Sequence, residues 1–343
     1  MNKLWACIGN PPYQDQTLGG NSTYAPPIYH LFIDGSADVA DRVELIHPAR
    51  FLFDAGSTPK AWNRKMLEDD HFKVLHYEPD ATSVFPGTDI KGGVAVTLHD
   101  DTRCFEPIHV FFPHEALESI TRKVQSKGEK SISSIIYASE SYRFTDTMHS
   151  EVPGAEKLLS KGHKYDLKTS VLSKLDGIVF FADDVAGDYA SILGLVKGKR
   201  CHRWIKRDYL RSPDNFEKYK VILPKSNGSG ALGEQLSSPI VEGPGTGHTQ
   251  SFMSIGCFDT RSEATSCLKY IKTKFTRTLL GVLKVTQDNP APKWAFIPIQ
   301  DFTASSDIDW SKSVAEIDQQ LYRKYGLSDE EIDFIETRVK EMK

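Results

Sequence analysis

Apolar and polar positions alternate through the first hundred residues in a way that predicts short strands and helices in turn. Leu4 to Ile8 reads as a short buried strand. Pro26 and Pro27 then open a helix in which Ile28, Leu31, Phe32 and Val39 recur at helical spacing. Arg42 to Pro48 (RVELIHP) is strand-like, and Thr58-Pro59 starts a helix carrying Trp62, Met66 and Leu67. Two further strands are expected around Phe72 to Tyr77 and Gly93 to Leu98. The β-α-β-α-β-β order fits half of a doubly wound α/β sheet ending in an antiparallel hairpin.

From about Cys104 the alternation gives way to short strands, polar loops and glycine-rich turns such as Ser226 to Gly233. One long helix is expected over Asp259 to Leu283. Thr260 and Glu263 would form its capping box, with Ala264, Leu268, Ile271, Phe275 and Leu279 on the buried side. Two C-terminal helices follow. Val314, Ile317, Leu321 and Tyr322 stripe the first, Gly326 ends it, and Ser328 and Glu331 cap the second, which carries Ile332, Ile335 and Val339. No internal repeat is present. The expected fold is α/β, a partial doubly wound Rossmann-like sheet in residues 1–103 followed by an α+β domain in 104–343.

Composition narrows this picture only slightly. With 39% hydrophobic and 26% charged residues, the 343-residue chain has the balance of a globular protein with room for two cores. No stretch approaches the roughly 18 apolar residues of a membrane span, and no basic-then-apolar leader pattern opens the chain, which reads as cytoplasmic. The five cysteines are scattered and never form CxxC, so they are expected to be reduced and mostly packed. A net charge of −4 argues against indiscriminate coating of nucleic acid but leaves room for a local basic groove.

The segment with the most chemistry is IGNPPYQ, residues 8–14. Two prolines lock the backbone, so the Asn10 side-chain oxygen and the Pro11 carbonyl become acceptors with fixed directions. An exocyclic amino group carries two N–H bonds, which such a pair orients, and Tyr13 adds a flat stacking surface. A plain turn after a strand accounts for the same residues. The carboxyl end of a strand in a doubly wound sheet is, however, where such folds bind ligands.

These residues resemble a family. Asn10-Pro11-Pro12-Tyr13 after a short apolar strand is similar to the catalytic motif of the N6-adenine DNA methyltransferases, in the form found in restriction-modification methylases. The segments 26–34, 42–52 and 84–98 are similar to the later strands and helices of that catalytic domain in the gamma motif order. Residues 258–280, 296–302 and 321–336 resemble target-recognition regions of type IIG-like methylases. The resemblance implies base flipping, with the adenine amino group held on Asn10 and Pro11 and the ring between Tyr13 and Phe85, the aromatic of the Phe-Pro turn. An ordinary core role for Phe85, and local packing for Tyr13, remain open alternatives.

The resemblance also implies S-adenosylmethionine as cofactor and double-stranded DNA as partner. The glycine loop and acidic residue that hold the cofactor precede the motif in the gamma order. Downstream, only Gly243 to Gly247 (GPGTG) and Leu193 to Gly198 (LGLVKG) are glycine-rich candidates. The first strand is therefore expected to leave an apolar edge open, to be covered by a separate polypeptide supplying the cofactor-binding half or by the C-terminal part of the chain, or to belong to an inactive relic.

For DNA contacts, Lys197, Lys199, Arg200, Arg203, Lys206 and Arg207 form the densest basic stretch, with Trp204 and Tyr209 interleaved. Lys269, Lys272 and Arg277 lie along the helix near residue 270. Each set is equally readable as a solvated face. A nuclease reading rests on Pro79, Asp80, Asp89 and Lys91 in a loose PD…D-x-K pattern, in which the carboxylates bind magnesium. A third reading is a non-catalytic DNA-specificity module.

Overall fold

In the computed structural model the described residues are 3–15, 25–88, 90–183 and 187–342. They form a mixed α/β chain that divides into two compact units. Residues 1–118, with 229–231 and 281–286, make the first; 119–228, 232–280 and 287–343 make the second. Among the described residues no helix is long and apolar enough to cross a membrane.

The first unit follows the predicted order closely. It contains β1 (Cys7–Gly9), α1 (Tyr29–Val39), β2 (Arg42–Pro48), α2 (Lys60–Glu68), β3 (Phe72–Glu78) and β4 (Val94–Asp100). The strands form one sheet in the order β1-β2-β4-β3. β1 runs parallel to β2, with Cys7 opposite Val43 and Gly9 opposite Leu45, while β4 is antiparallel to both β2 and β3. Alternation in RVELIHP places Val43, Leu45 and His47 inward. There they meet Tyr29 and Ile33 of α1 and Trp62 and Met66 of α2. His47 has no exposed surface, stacks on Tyr29 at 5.7 Å and bonds Thr97 Oγ1 through Nε2 at 2.7 Å. Burial pushes its imidazole down to about 4, so it is neutral at pH 7.

One expectation for this unit is corrected, and the packing face of α1 is settled. The first strand is shorter than Leu4 to Ile8; Leu4 contributes only a single bridge to Ala40. The buried face of α1 is Tyr29 and Ile33, whereas Leu31, Phe32 and Val39 are exposed. Their helical spacing is real but describes a second apolar stripe that faces away from the sheet.

The second unit begins within α3 (Glu115–Gln125), which straddles the division. Its strands are β5 (Ile136–Tyr137), β6 (Arg143–Phe144), β7 (Tyr189–Val196), β8 (Lys199–Lys206), β9 (Leu210–Arg211), β10 (Tyr219–Pro224), β11 (Ile240–Glu242), β12 (Thr246–His248) and β13 (Phe252–Phe258). They form sheets β11-β10-β13-β5, β12-β7-β8 and β6-β9. Short helices α4 (Asp146–Glu151), α5 (Ala155–Leu158) and α6 (Val171–Lys174) precede β7. The long helices α7 (Arg261–Lys272), α8 (Lys274–Leu283, whose last residues fall in the first unit), α9 (Val314–Tyr325) and α10 (Asp329–Arg338) come last. The largest core joins Val221, Leu223 and Ile255 of the β10–β13 sheet to Ile271, Phe275, Leu279, Ile317, Leu321 and Ile335 of these helices.

The single helix expected over 259–283 is two helices. Its capping box at Thr260 and Glu263 forms as predicted, but Thr273 leaves the helical region at ψ 149° and the chain restarts as α8. The restart is capped twice: locally, Thr273 Oγ1 accepts the Thr276 N–H at 3.1 Å, and a second cap comes from far along the chain. Asp318 of α9 is 2% exposed, and its carboxylate accepts the N–H groups of Lys274 and Phe275 at 3.0 and 2.9 Å, acting as a cap supplied in trans by another helix. The C-terminal helices match expectation: Gly326 closes α9 in the left-handed region and Ser328–Glu331 is a full capping box. The cysteines are free, but Cys104 and Cys257 are exposed and only Cys267 is buried, fewer than expected.

Burial raises the Asp318 carboxyl from 3.8 to about 6 despite the two amide bonds. A folded pKa above the unfolded one adds stability that is present below the unfolded pKa and is lost as pH rises through about 6. Relative to Asp318→Asn, the wild-type chain should therefore become progressively less stable between pH 4 and 7 in urea titrations. A pH-independent difference between the two proteins would contradict this assignment.

Candidate functional site

The NPPY turn emerges from the carboxyl end of β1, and its geometry is set from both sides. Upstream, the parallel ladder to β2 fixes Cys7 to Gly9. Downstream, Tyr13 C=O accepts the Ile28 N–H at 3.1 Å and the Asp15 N–H donates to Pro26 C=O at 2.9 Å, so Gln14 bridges Pro27. The proline pair at 26–27 thus anchors the turn as well as opening α1, a role that the sequence signal for a helix start conceals.

Asn10 is exposed, and its side chain makes no hydrogen bond among the described residues, which leaves both amide atoms available. Pro11 is half-buried and Pro12 exposed. Tyr13 packs against the first unit's core and its hydroxyl is buried without a partner among the described residues. Burial raises its pKa above the usual tyrosine value.

Phe85 is brought to Tyr13 by the turn after β3. Asp80 caps a 3-10 turn at Ala81–Ser83 by accepting the Thr82 N–H at 3.0 Å, and the Phe85 N–H then donates to Ala81 C=O at 2.8 Å. Behind it, Gly93 (φ 74°) enters β4 where a Cβ would lie 2.3 Å from Glu78 O, so only glycine fits this approach. The two aromatic rings sit 6.3 Å apart at 74°, edge to face. The structure thus brings the two rings named in the sequence reading into contact, but edge to face and not parallel, so no base-sized gap lies between them.

The nuclease pattern is accounted for differently. Asp80 is spent on Thr82, whose hydroxyl also donates to it at 2.6 Å, and these bonds hold the carboxyl below its usual range. Asp89 lies outside the described residues. Among the described residues no group of three or more His, Cys, Asp or Glu is placed to hold a metal ion.

The glycine-rich candidates for a cofactor loop do not fit that role. Leu193 to Gly198 lies in β7 and its hairpin turn, and Gly243 to Gly247 runs from the end of β11 into β12. Neither stands between a strand and a helix, the setting in which a glycine loop meets an anionic or ribose-bearing cofactor.

The basic stretch 197–211 separates into two groups. Arg200 donates to Ser237 and Ser238 carbonyls at 2.7 and 2.5 Å and lies over Phe252. Arg203 faces Asp176 at 3.7 Å, Lys206 pairs with Glu151 at 3.0 Å, and Arg207 pairs with Asp188 at 3.0 Å and with Glu217. Lys197 and Lys199 are exposed and have no partner among the described residues.

The helix cations are likewise mostly engaged. Lys269 donates to the Trp310 and Lys312 carbonyls, both at 2.8 Å, and Lys272 is half-buried at the end of α7. Arg277, expected on the surface, is 2% exposed and donates to Lys272, Gly233 and Lys340 carbonyls at 3.1, 3.0 and 2.5 Å. That expectation is corrected: its charge closes the ends of three segments and does not face solvent.

Residues 2–85 match the family of Eco57I restriction-modification methylases. The match spans the NPPY turn and ends on Phe85, so both halves of the aromatic pair fall inside the methylase-type segment. It supports a methyltransferase-related role for this part of the chain. No curated protein matches the chain. Among solved structures, the chain is similar to the type IIG restriction endonuclease BpuSI at 10% identity, with a TM-score of 0.32, covering 94% of this chain and 50% of that one. It is also similar to the type IIL restriction-modification enzyme MmeI in complex with DNA at 10% identity, with a TM-score of 0.38, covering 97% and 56%. The chain spans about half the length of each.

Removing the Arg277 guanidinium strands the Lys272, Gly233, Glu234 and Lys340 carbonyls that it now satisfies, so Arg277→Ala should lower stability by about 3 kcal/mol. Chemical denaturation measures this. A change within the scatter of ordinary surface substitutions would return Arg277 to the surface set.

Proposed function

We propose that this chain carries the target-adenine half and the recognition region of a site-specific DNA N6-adenine methyltransferase of a restriction-modification system. The observation that carries the proposal is the exposed, unpartnered Asn10 on a doubly anchored NPPY turn, within the segment that matches the methylase family. Asn10 Oδ1 and the Pro11 carbonyl accept the two N–H bonds of a flipped adenine amino group and hold its nitrogen toward the methyl donor. Positioning supplies the catalysis, with no strong base. Tyr13 and Phe85 stack on the base once their planes align, a contribution of roughly 1–3 kcal/mol.

In this reading the four-stranded sheet is the partial, doubly wound half of a Rossmann-like methyltransferase domain reaching to about residue 103, and residues 104–343 are the target-recognition domain for double-stranded DNA. The donor is S-adenosylmethionine, in keeping with the methylase family. In this reading a separate polypeptide supplies its binding half. Support comes from the open edge of β1, which pairs only with β2 among the described residues. Leu4, Trp5 and Ile8 are 61%, 75% and 77% exposed along it. Parallel strands are ordinarily covered on both sides, and such an edge invites pairing. The competing reading is a non-catalytic DNA-specificity module.

Transfer of labelled methyl from S-adenosylmethionine to duplex adenine, with the chain alone and with the polypeptide encoded immediately upstream, separates the two. We expect transfer with the partner present, a loss of at least about 100-fold in Asn10→Ala, and nearly unchanged duplex affinity in that variant. A large affinity loss contradicts this division of labour, and no transfer in either condition leaves the specificity module. Ile8→Arg should leave the stability of the isolated chain almost unchanged, since the side chain is already 77% exposed, yet abolish partner-dependent transfer.

A further inference from the structure

β7 and β8 are joined by a two-residue turn. Val196 and Lys199 face each other across the last rung, leaving Lys197 and Gly198 at φ 51° and 75°. Two successive positive φ values define the primed hairpin turn that suits the twist of the strands, and it favours glycine or asparagine at both positions. An L side chain in the left-handed region crowds the following carbonyl. Gly198 avoids this cost; Lys197 bears it.

The strain coincides with a free charge. Lys197 and Lys199 are exposed and unpartnered among the described residues, whereas Arg200, Arg203, Lys206 and Arg207, immediately behind them, bond to carbonyls or carboxylates of the same unit. No acidic residue occurs between Asp188 and Asp208 to neutralise the tip. Buried or paired cations therefore build the hairpin, and its two free ammonium groups are presented at the turn.

We propose that the Lys197–Lys199 tip is a contact for the phosphate backbone of double-stranded DNA, and that Lys197 occupies a strained position for its charge. This rests on the DNA partner proposed above and assigns the contact to two of the nine candidate cations. A lysine ammonium is a point charge without the planar fork that reads base edges, so the contact is independent of sequence.

The test uses the full chain, with duplex binding followed by fluorescence anisotropy over a range of salt concentrations, and unfolding measured in parallel. The variants are Lys197→Gly, Lys199→Gln and the pair. Lys197→Gly should unfold at a higher midpoint than the wild type and bind duplex more weakly. The pair should reduce the slope of log affinity against log salt by about 1.8, two phosphates' worth, to the same degree on unrelated duplexes. An unchanged slope in a wild-type chain that binds DNA overturns the tip assignment alone. A midpoint that does not rise in Lys197→Gly overturns the strain argument. A wild-type chain that fails to bind any duplex at low salt overturns the DNA partner itself.

Discussion

Everything proposed for the NPPY turn depends on the short parallel ladder between β1 and β2. Three rungs, from Cys7–Val43 to Gly9–Leu45, set where the chain leaves the sheet. β2 is itself held by the seven-residue pairing with β4 and by the inward row of Val43, Leu45 and His47. The prolines then propagate that position rigidly to Asn10 and Tyr13, and the Gln14–Pro27 bridge closes the far end. A turn anchored at only one end would keep its dihedral angles but wander as a body; anchoring both ends fixes the direction of two acceptors in space, which is what positioning catalysis needs.

The second unit is organised by charges taken out of water. Asp318 caps the start of α8, Arg277 gathers four carbonyls, and Lys220, with no exposed surface, donates to the Phe216, Lys218 and Gly243 carbonyls. Burial pulls the Lys220 ammonium down to about 8. Each group would be costly alone and is tolerated because backbone dipoles surround it. Cations that serve this internal role are unavailable to DNA, which is why composition alone overstates the basic surface of residues 197–277.

Local signals were legible in the sequence, and contacts between distant segments were not. The limits of β2 and the starts of α2, α7, α9 and α10 follow from alternation, proline and capping boxes, all of which act within a few residues. The break at Thr273 follows only in part: Thr273 caps the Thr276 N–H locally, but the second cap is a carboxylate 43 residues away from Phe275. Helical spacing correctly marked Leu31, Phe32 and Val39 as one stripe but could not say which of two apolar stripes meets the sheet. The aromatic pair of Tyr13 and Phe85 came from the family resemblance, and the edge-to-face angle between the rings is a property that no residue pattern encodes.

The open edge of the first unit also carries its own reporter. Trp5 is 75% exposed with the Arg42 guanidinium 5.2 Å from its ring, while Trp62, Trp294 and Trp310 are buried and Trp204 is half-buried. A strand that docks against β1 and extends over Trp5 transfers this one indole from water to a buried surface and shifts its emission toward the blue, against a nearly constant background from the other four. Occupancy of the edge is thus an optical property of the unlabelled protein.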